Sequence, residues 1–173
     1  ATYYISPSGS DAANGSVGTP WKTLNKACST VSGIGDTIHI TAGTYTESAQ
    51  CNLSVGVNIE GEGKATTIVK SSITGTWSSY MQLESPDGTN GNQSISNFTL
   101  NGQANTSGNE SGTYMGIWIT GRSNVSVHDM NLINFFQGGA IFAGNHLDGQ
   151  NALTWTAGPY ATGNSFYNND GTN

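Results

Sequence analysis

From Asp36 onward the chain is dominated by short runs in which apolar and polar residues alternate. Two such runs in Asp36–Ser48 flank an Ala42-Gly43 turn. Ile38 and Ile40 point one way and Thr37, His39 and Thr41 the other, as the two-residue period of a strand demands. The same pattern predicts strands over 51–55, 57–60, 66–71, 80–84, 95–100, 116–120, 125–132, 139–143 and 163–167. All are short, rich in β-branched or aromatic residues, and separated by Gly, Asn, Ser and Asp. Ahead of them, Tyr3-Tyr4-Ile5 reads as one more strand. Trp21, Leu24, Ala27, Cys28 and Val31 then fall at helical spacing. Thr19 as N-cap and Pro20 at the first helical position start that helix, and Gly33 and Gly35 stop it. A short helix of this kind covers the open end of a strand stack.

Laid over one another, the strands repeat. Ile117-Trp118-Ile119 sits over Ala140-Ile141-Phe142 at an offset of 23 (140 − 117), and under it comes Met81-Gln82-Leu83, 36 residues earlier (117 − 81). In a second column Phe98-Thr99-Leu100 matches Met130-Asn131-Leu132 at 32 (130 − 98), and Leu132 matches Phe166 at 34 (166 − 132). An offset near 23 is one three-sided coil, and the longer ones are coils carrying insertions. Asn97, Asn101, Asn131, Asn134, Asn164 and Asn168 recur beside these strands, and Asn tolerates the left-handed backbone of a bend. The expectation is an all-β, right-handed parallel β-helix (solenoid) with a short N-terminal capping helix: 1–35 as strand and cap, 36–173 as coils. A β-sandwich, also built of many short strands, is the alternative.

Composition narrows the partners. Only 9% of the 173 residues are charged, against roughly 25% in an average globular protein. The surface must be Ser, Thr, Asn and Gly, which suits contact with sugar outside the cell. The net charge is −6 with five cations, Lys22, Lys26, Lys64, Lys70 and Arg122. A nucleic-acid partner, which needs a basic patch, is not expected. No run nears the ~18 apolar residues of a membrane span. Ordered-looking sequence from Tyr3 onward fits a secreted chain whose leader has been removed. Cys28 and Cys51 are either two buried thiols or a disulfide tying the helix to the first coil.

Three stretches carry a resemblance to a known family. They are Tyr3-Tyr4-Ile5-Ser6-Pro7-Ser8-Gly9-Ser10-Asp11, Gly18-Thr19-Pro20-Trp21-Lys22-Thr23-Leu24-Asn25-Lys26-Ala27, and Gly35-Asp36-Thr37-Ile38-His39-Ile40-Thr41-Ala42-Gly43-Thr44-Tyr45-Thr46-Glu47. Together they resemble the N-terminal signature of right-handed parallel β-helix, pectate-lyase-like proteins. Val57-Asn58-Ile59-Glu60-Gly61-Glu62-Gly63 resembles that family's first full coil. The resemblance implies a polysaccharide-active protein: a lyase acting by β-elimination on a uronic-acid polymer, a glycoside hydrolase, or the opening coils of such an enzyme. Members have more coils than 173 residues supply, so further coils or a second chain would cover the end beyond Phe166-Tyr167.

A lyase of this kind needs a cation, Ca²⁺ or Arg/Lys, against the uronate carboxylate and a base for the neighbouring proton. The Lys, Arg and Asn/Glu/Glu calcium set of the relatives has no counterpart here. What remains are individual candidates. Arg122, in Gly121-Arg122-Ser123, is either a partner for a substrate carboxylate or a solvated loop residue. His128 is either an outward base or a surface residue, and alternation sets it and Asp129 on opposite faces. Glu60 and Glu62 share a face and suit Ca²⁺ or acid/base work, or else mark a turn. Asp87–Asn92 looks like a calcium loop but has Phe98 where the twelfth-position glutamate belongs, so it reads as an insertion. His146 and Asp148 could ligate a metal. Trp118, between Ile117 and Ile119, faces outward as a sugar platform or lies under the 101–114 insertion. Trp77, Trp155, Tyr114 and Tyr160 are further stacking candidates. Seven Asn-X-Ser/Thr sequons, at 14, 52, 92, 97, 105, 109 and 124, are explained mostly by chance in so Asn- and Ser-rich a chain. A carbohydrate-binding or adhesive module without turnover competes with the lyase. Ice binding lacks the long threonine ladder it would require.

Overall fold

The computed structural model describes residues 1–104, 112–143 and 163–172. The chain runs β1 (Thr2–Ile5), helix α1 (Leu24–Thr30), β2 (Thr37–Ile40), β3 (Gly43–Glu47), β4 (Cys51–Asn52), β5 (Asn58–Gly61), β6 (Thr67–Ser71) and β7 (Gly75–Ser96). It continues as β8 (Thr99–Asn101), β9 (Thr113–His128), β10 (Asn131–Ile133), β11 (Gly138–Ala143), β12 (Ser165–Tyr167) and β13 (Asp170–Thr172). The strands are divided between two sheets. The first has the order β1-β2-β5-β7-β9-β11, with β4 beside β7 and β12 beside β9. The second has the order β3-β6-β8-β10-β13. Every pairing between these strands is parallel. That excludes the antiparallel layers of a sandwich.

Register stacks like on like. Ile38, Ile59, Ile95 and Val127 form one column of the first sheet, and each is fully buried. Tyr45, Val69, Leu100 and Leu132 form the matching column of the second. Met81 over Ile117 over Ala140, and Thr99 over Asn131, pair as the offsets of 36, 23 and 32 require. The offset of 34 does not hold. Leu132 stacks on Gly171, and Phe166 stacks on Val127. The bend at Asn168 separates Phe166 from the strand that follows, so Phe166 belongs to the first sheet. Asn97, Asn134 and Asn168 all adopt left-handed backbone angles where the chain leaves one sheet for the other.

The helix starts later than the Thr19-Pro20 signal predicts. Trp21 bridges to Ile5, and Thr23 is the N-cap, its side chain accepting from the Lys26 amide. Glu47, buried in β3, accepts from the amides of Leu24 (2.9 Å) and Asn25 (3.1 Å). Burial raises its carboxyl pKa, and those two amides only partly offset the rise. Cys28 and Cys51 form a disulfide that joins α1 to β4.

The largest departure from the sequence pattern concerns β7 and β9. Residues 87–92, expected as an insertion loop, belong to β7, and 121–123, expected as a turn, belong to β9. Thr89 pairs with Arg122 and Asn90 with Ser123, with register irregularities on either side. Polar Gly- and Asn-rich sequence reads as loop when taken alone. Here each strand satisfies the other's backbone, which outweighs weak local propensity. At the end of the described chain Phe166 and Tyr167 are about half exposed.

Candidate functional site

The outward side of the first sheet holds the most strongly shaped region. Asn52, Gln82 and Trp118 stand in one register row across β4, β7 and β9. Ile117 and Ile119 are fully buried, so Trp118 lies on the opposite face from the core. It is nevertheless only 9% exposed and packs with Met115 and Tyr114. Residues 105–111 of the insertion expected to cover it fall outside the described residues. A cavity of about 580 Å³ opens here, lined by Trp77, Trp118, Met115, Gln50, Gln82 and Glu84 among others. Trp77 is 55% exposed and held at φ 66°, a left-handed angle that costs a non-glycine residue about 1–2 kcal/mol. Its ring leans on Tyr114 at 5.3 Å, and Tyr114 leans on Phe136 at 5.2 Å.

A second cavity of about 320 Å³ adjoins the first and shares Gln82 and Glu84 with it. Gln82 donates its amide to the Glu84 carboxylate. Asn52, Leu53, Ser54 and Arg122 complete the lining. Arg122 is not a solvated loop residue. It is only 4% exposed, because the pairing of β7 with β9 carries it inward. Its Nε donates to Ser85 Oγ (2.8 Å), one terminal nitrogen to Gln93 Oε1 (3.0 Å), and the other to the Glu84 carbonyl (3.3 Å). Gln93 in turn donates to the Val57 carbonyl at 2.8 Å. Among the described residues no carboxylate lies within ion-pair distance of the guanidinium. Burial lowers its pKa to about 10, so it remains a cation at neutral pH.

The other candidates form two separate clusters. His39 Nδ1 meets Glu60 at 3.1 Å and Nε2 meets Glu62 at 3.2 Å. Glu62 also accepts from the Ala42 amide. Glu60 and Glu62 thus share a face, as the two-residue period requires, and the group between them is an imidazole. Burial pulls the His39 pKa down, but hydrogen bonds and charge from Glu60 and Glu62 outweigh it and leave it above the ordinary value. His128 and Asp129 do act as a pair, contrary to the alternation argument. β9 ends at His128, and Asp129 turns left-handed at φ 53°. That brings its carboxylate to 2.7 Å from His128 Nδ1. The bond to His128 lowers the Asp129 pKa, and Tyr167 stacks on the imidazole at 4.9 Å. His128 stands well away along the strand from the cavities and lines neither.

No group of three or more His, Cys, Asp and Glu side chains among the described residues is arranged to hold a metal ion. His146, Asp148, Trp155 and Tyr160 lie outside the described residues.

No known family profile matches the sequence, and no curated protein matches it significantly. Solved structures do match. A rhamnogalacturonan lyase aligns with a TM-score of 0.60 at 20% identity, over 83% of this chain and 38% of its own. A pectin methylesterase solved with a hexasaccharide aligns at 0.56 and 14%, over 98% and 54%. Pectin methylesterase PemA from Erwinia chrysanthemi aligns at 0.52 and 13%, over 81% and 47%. The likeness is one of fold. The chain spans about half or less of the length of each of these neighbours.

Gln82, Glu84 and Gln93 were not singled out from sequence. A signal for the first existed: the 36-residue offset sets Gln82 directly beneath Trp118. The same offset sets Glu84 opposite Thr120, and the offset of 32 sets Gln93 opposite Val125; what no offset reveals is that Arg122, in the irregular segment between them, meets both.

Proposed function

We propose that this chain is a secreted, polysaccharide-active protein of the right-handed parallel β-helix kind, with its glycan lying in the groove formed by the two adjoining cavities. The observation that carries the reading is the pairing of two indoles with amide, hydroxyl and carboxylate groups in one concave site. Ligand pockets combine apolar walls with a few orienting polar groups in this way. The parallel sheets, the disulfide and the fold shared with a lyase and with pectin methylesterases support it. The reaction that fits is β-elimination on a uronic-acid polymer. A base takes the proton beside the carboxylate, the glycosidic C–O bond breaks as the ring double bond forms, and the leaving oxygen is reprotonated.

The second reading is binding without turnover. Its support is that Glu84 is the only titratable carboxylate lining the groove among the described residues. The deciding measurement is ultraviolet absorbance from unsaturated ends on pectate, alginate and chondroitin, with and without Ca²⁺. New absorbance establishes the lyase. Glycan binding with no absorbance on any of them establishes the binding module. In either case Trp118→Ala should weaken glycan affinity about tenfold, equivalent to about 1.4 kcal/mol. Unchanged affinity in a folded variant would remove the groove from consideration.

A further inference from the structure

Trp77 lies at an interruption of the sheet. The ladder between β7 and β9 shifts register between Gly75 and Ser79, and Trp77 sits inside that stretch at a left-handed φ of 66°. A non-glycine residue keeps such an angle only where its surroundings hold it there. Resting on the glycan reading of the groove, we propose that Asn25, on α1 and outside both cavities, is a positioning residue for the site. Through Gln50 it fixes the irregular stretch of β7 that presents Trp77.

The connection can be followed bond by bond. Asn25 Nδ2 donates to the Gln50 carbonyl at 2.8 Å. The Gln50 amide nitrogen donates to the Ser79 carbonyl at 3.0 Å and to Ser79 Oγ at 2.9 Å. Two bonds to one residue make the Gln50 side chain a strut between the 48–50 segment and β7. Ser79 stands two residues beyond Trp77 and lines the same cavity. Ser78, between them, is tied to the next strand: its Oγ accepts from the Tyr114 amide at 3.1 Å, and Tyr114 carries the ring on which Trp77 leans.

The helix end of this relay is firm. The buried Glu47 carboxylate accepts from the amides of Leu24 and Asn25, so the residue just before the 48–50 segment grips the turn of helix that carries Asn25. The Glu47 carbonyl accepts from the Ser72 amide at 2.8 Å and from Ser72 Oγ at 3.0 Å. Ser72 leads into Ile73, another residue of the cavity wall. The segment is thus braced ahead of Ser48 by Glu47 and at Gln50 by Asn25. The disulfide at Cys51 lies beyond Gln50, and the relay does not pass through it. Hydrogen-bonded groups behind a site set how closely its geometry is kept.

Asn25→Ala removes the donor without adding charge beside Glu47. The chain has four tryptophans, and in an isotope-labelled sample of the intact protein Trp77→Phe and Trp21→Phe assign the two indole N–H signals that matter. The expected result for Asn25→Ala is a shift of the Trp77 signal. The Trp21 signal should stay in place, because that indole donates to the Ala13 carbonyl near the helix and reports whether the cap itself is intact. Gln50→Met keeps the bulk and loses the donor to Ser79. It should shift Trp77 in the same direction, and adding Asn25→Ala to it should change nothing further, since both act through one connection. Asn25→Gln restores an amide donor and should recover part of the shift. Calorimetric affinity is measured with hexasaccharides of pectate, alginate and chondroitin. For those that the wild type binds, Asn25→Ala should weaken binding about fivefold, the worth of one hydrogen bond. A Trp77 signal that stays still in folded Asn25→Ala, a Trp21 shift as large as that of Trp77, or shifts that add in the double variant would overturn the inference and leave the groove standing. So would unchanged affinity in a variant whose Trp77 signal has moved. If the wild type binds none of the three glycans, the glycan reading itself fails before any substitution is made, and the inference goes with it.

Discussion

Two of the charged groups on the first sheet are treated in opposite ways. On β2 and β5, His39 is bracketed by Glu60 and Glu62, so the local charges answer one another. On β7 and β9, Arg122 is buried deeper, yet its acceptors are a hydroxyl, an amide and a carbonyl, all neutral. The strands differ in the same sense. β2 and β5 are four-residue strands in unbroken register. β7 and β9 are 22 and 16 residues long, with three register shifts between them. Bulged ladders re-aim side chains and are characteristic of sites. The regular region closes on itself and holds the fold. The irregular region sets two indoles at one cavity and, at the adjoining one, a cation with no carboxylate at ion-pair distance among the described residues.

The comparison can be broken most forcefully at Gly121. It sits at φ 67°, and a Cβ there would lie 2.0 Å from the Ser85 carbonyl oxygen. Gly121→Ala combines a left-handed penalty with a backbone clash and should cost about 3 kcal/mol, read as a lower denaturation midpoint. It should also disturb Arg122, whose neighbours include Ser85. A variant of wild-type stability would show that β7 and β9 are not locked together.

Removing the disulfide by Cys28→Ser with Cys51→Ser probes the anchorage of the helix to β4, which stays paired with β7 and brings Asn52 to the groove. The bond closes a loop with a sequence separation of 23, and its loss should cost about 3 kcal/mol in the chain-entropy account, comparable to the glycine change. Glycan affinity measured below the new melting transition should stay unchanged. Loss of affinity in a folded double variant would mean that the disulfide, and not the pairing of β4 with β7, places Asn52 in the groove.

The smallest effect expected is at His39. Its folded-state pKa lies above the ordinary value, so the folded protein binds the proton more tightly than the unfolded chain does. The resulting stabilisation is complete below the unfolded pKa of about 6.5 and disappears as pH rises through the higher folded value. For a partly exposed cluster it should stay under about 1 kcal/mol. Urea midpoints at pH 5.5 and pH 9 should therefore differ more for the wild type than for His39→Gln. Equal differences would show that the imidazole is not clamped by Glu60 and Glu62.

Much of the architecture was legible beforehand because a strand's two-residue period leaves a direct trace. Ile38 with Ile40, and Ile117 with Ile119, announce an inner face. The offsets of 23, 32 and 36 announce which strands stack, since like side chains fill equivalent positions in neighbouring layers. The offset linking Leu132 to Phe166 failed because two aligned apolar residues do not reveal which sheet each joins. The helix start was misplaced because Thr19-Pro20 and Thr23 both carry N-cap chemistry, and only the packing of Trp21 against Ile5 decides between them.

For the candidate site the division is sharper. The alternation around Trp118 determines its side of the sheet, and it is a property of consecutive residues. How deeply Arg122 lies, which groups hold it, and how Asp129 turns back to His128 are properties of residues brought together from β7, β9 and the bends between sheets. Local sequence records the preference of each segment for strand or turn. It does not record the hydrogen bonds that a distant strand supplies, and in this protein those bonds convert polar, glycine-rich stretches from loops into the long ladder that carries the site.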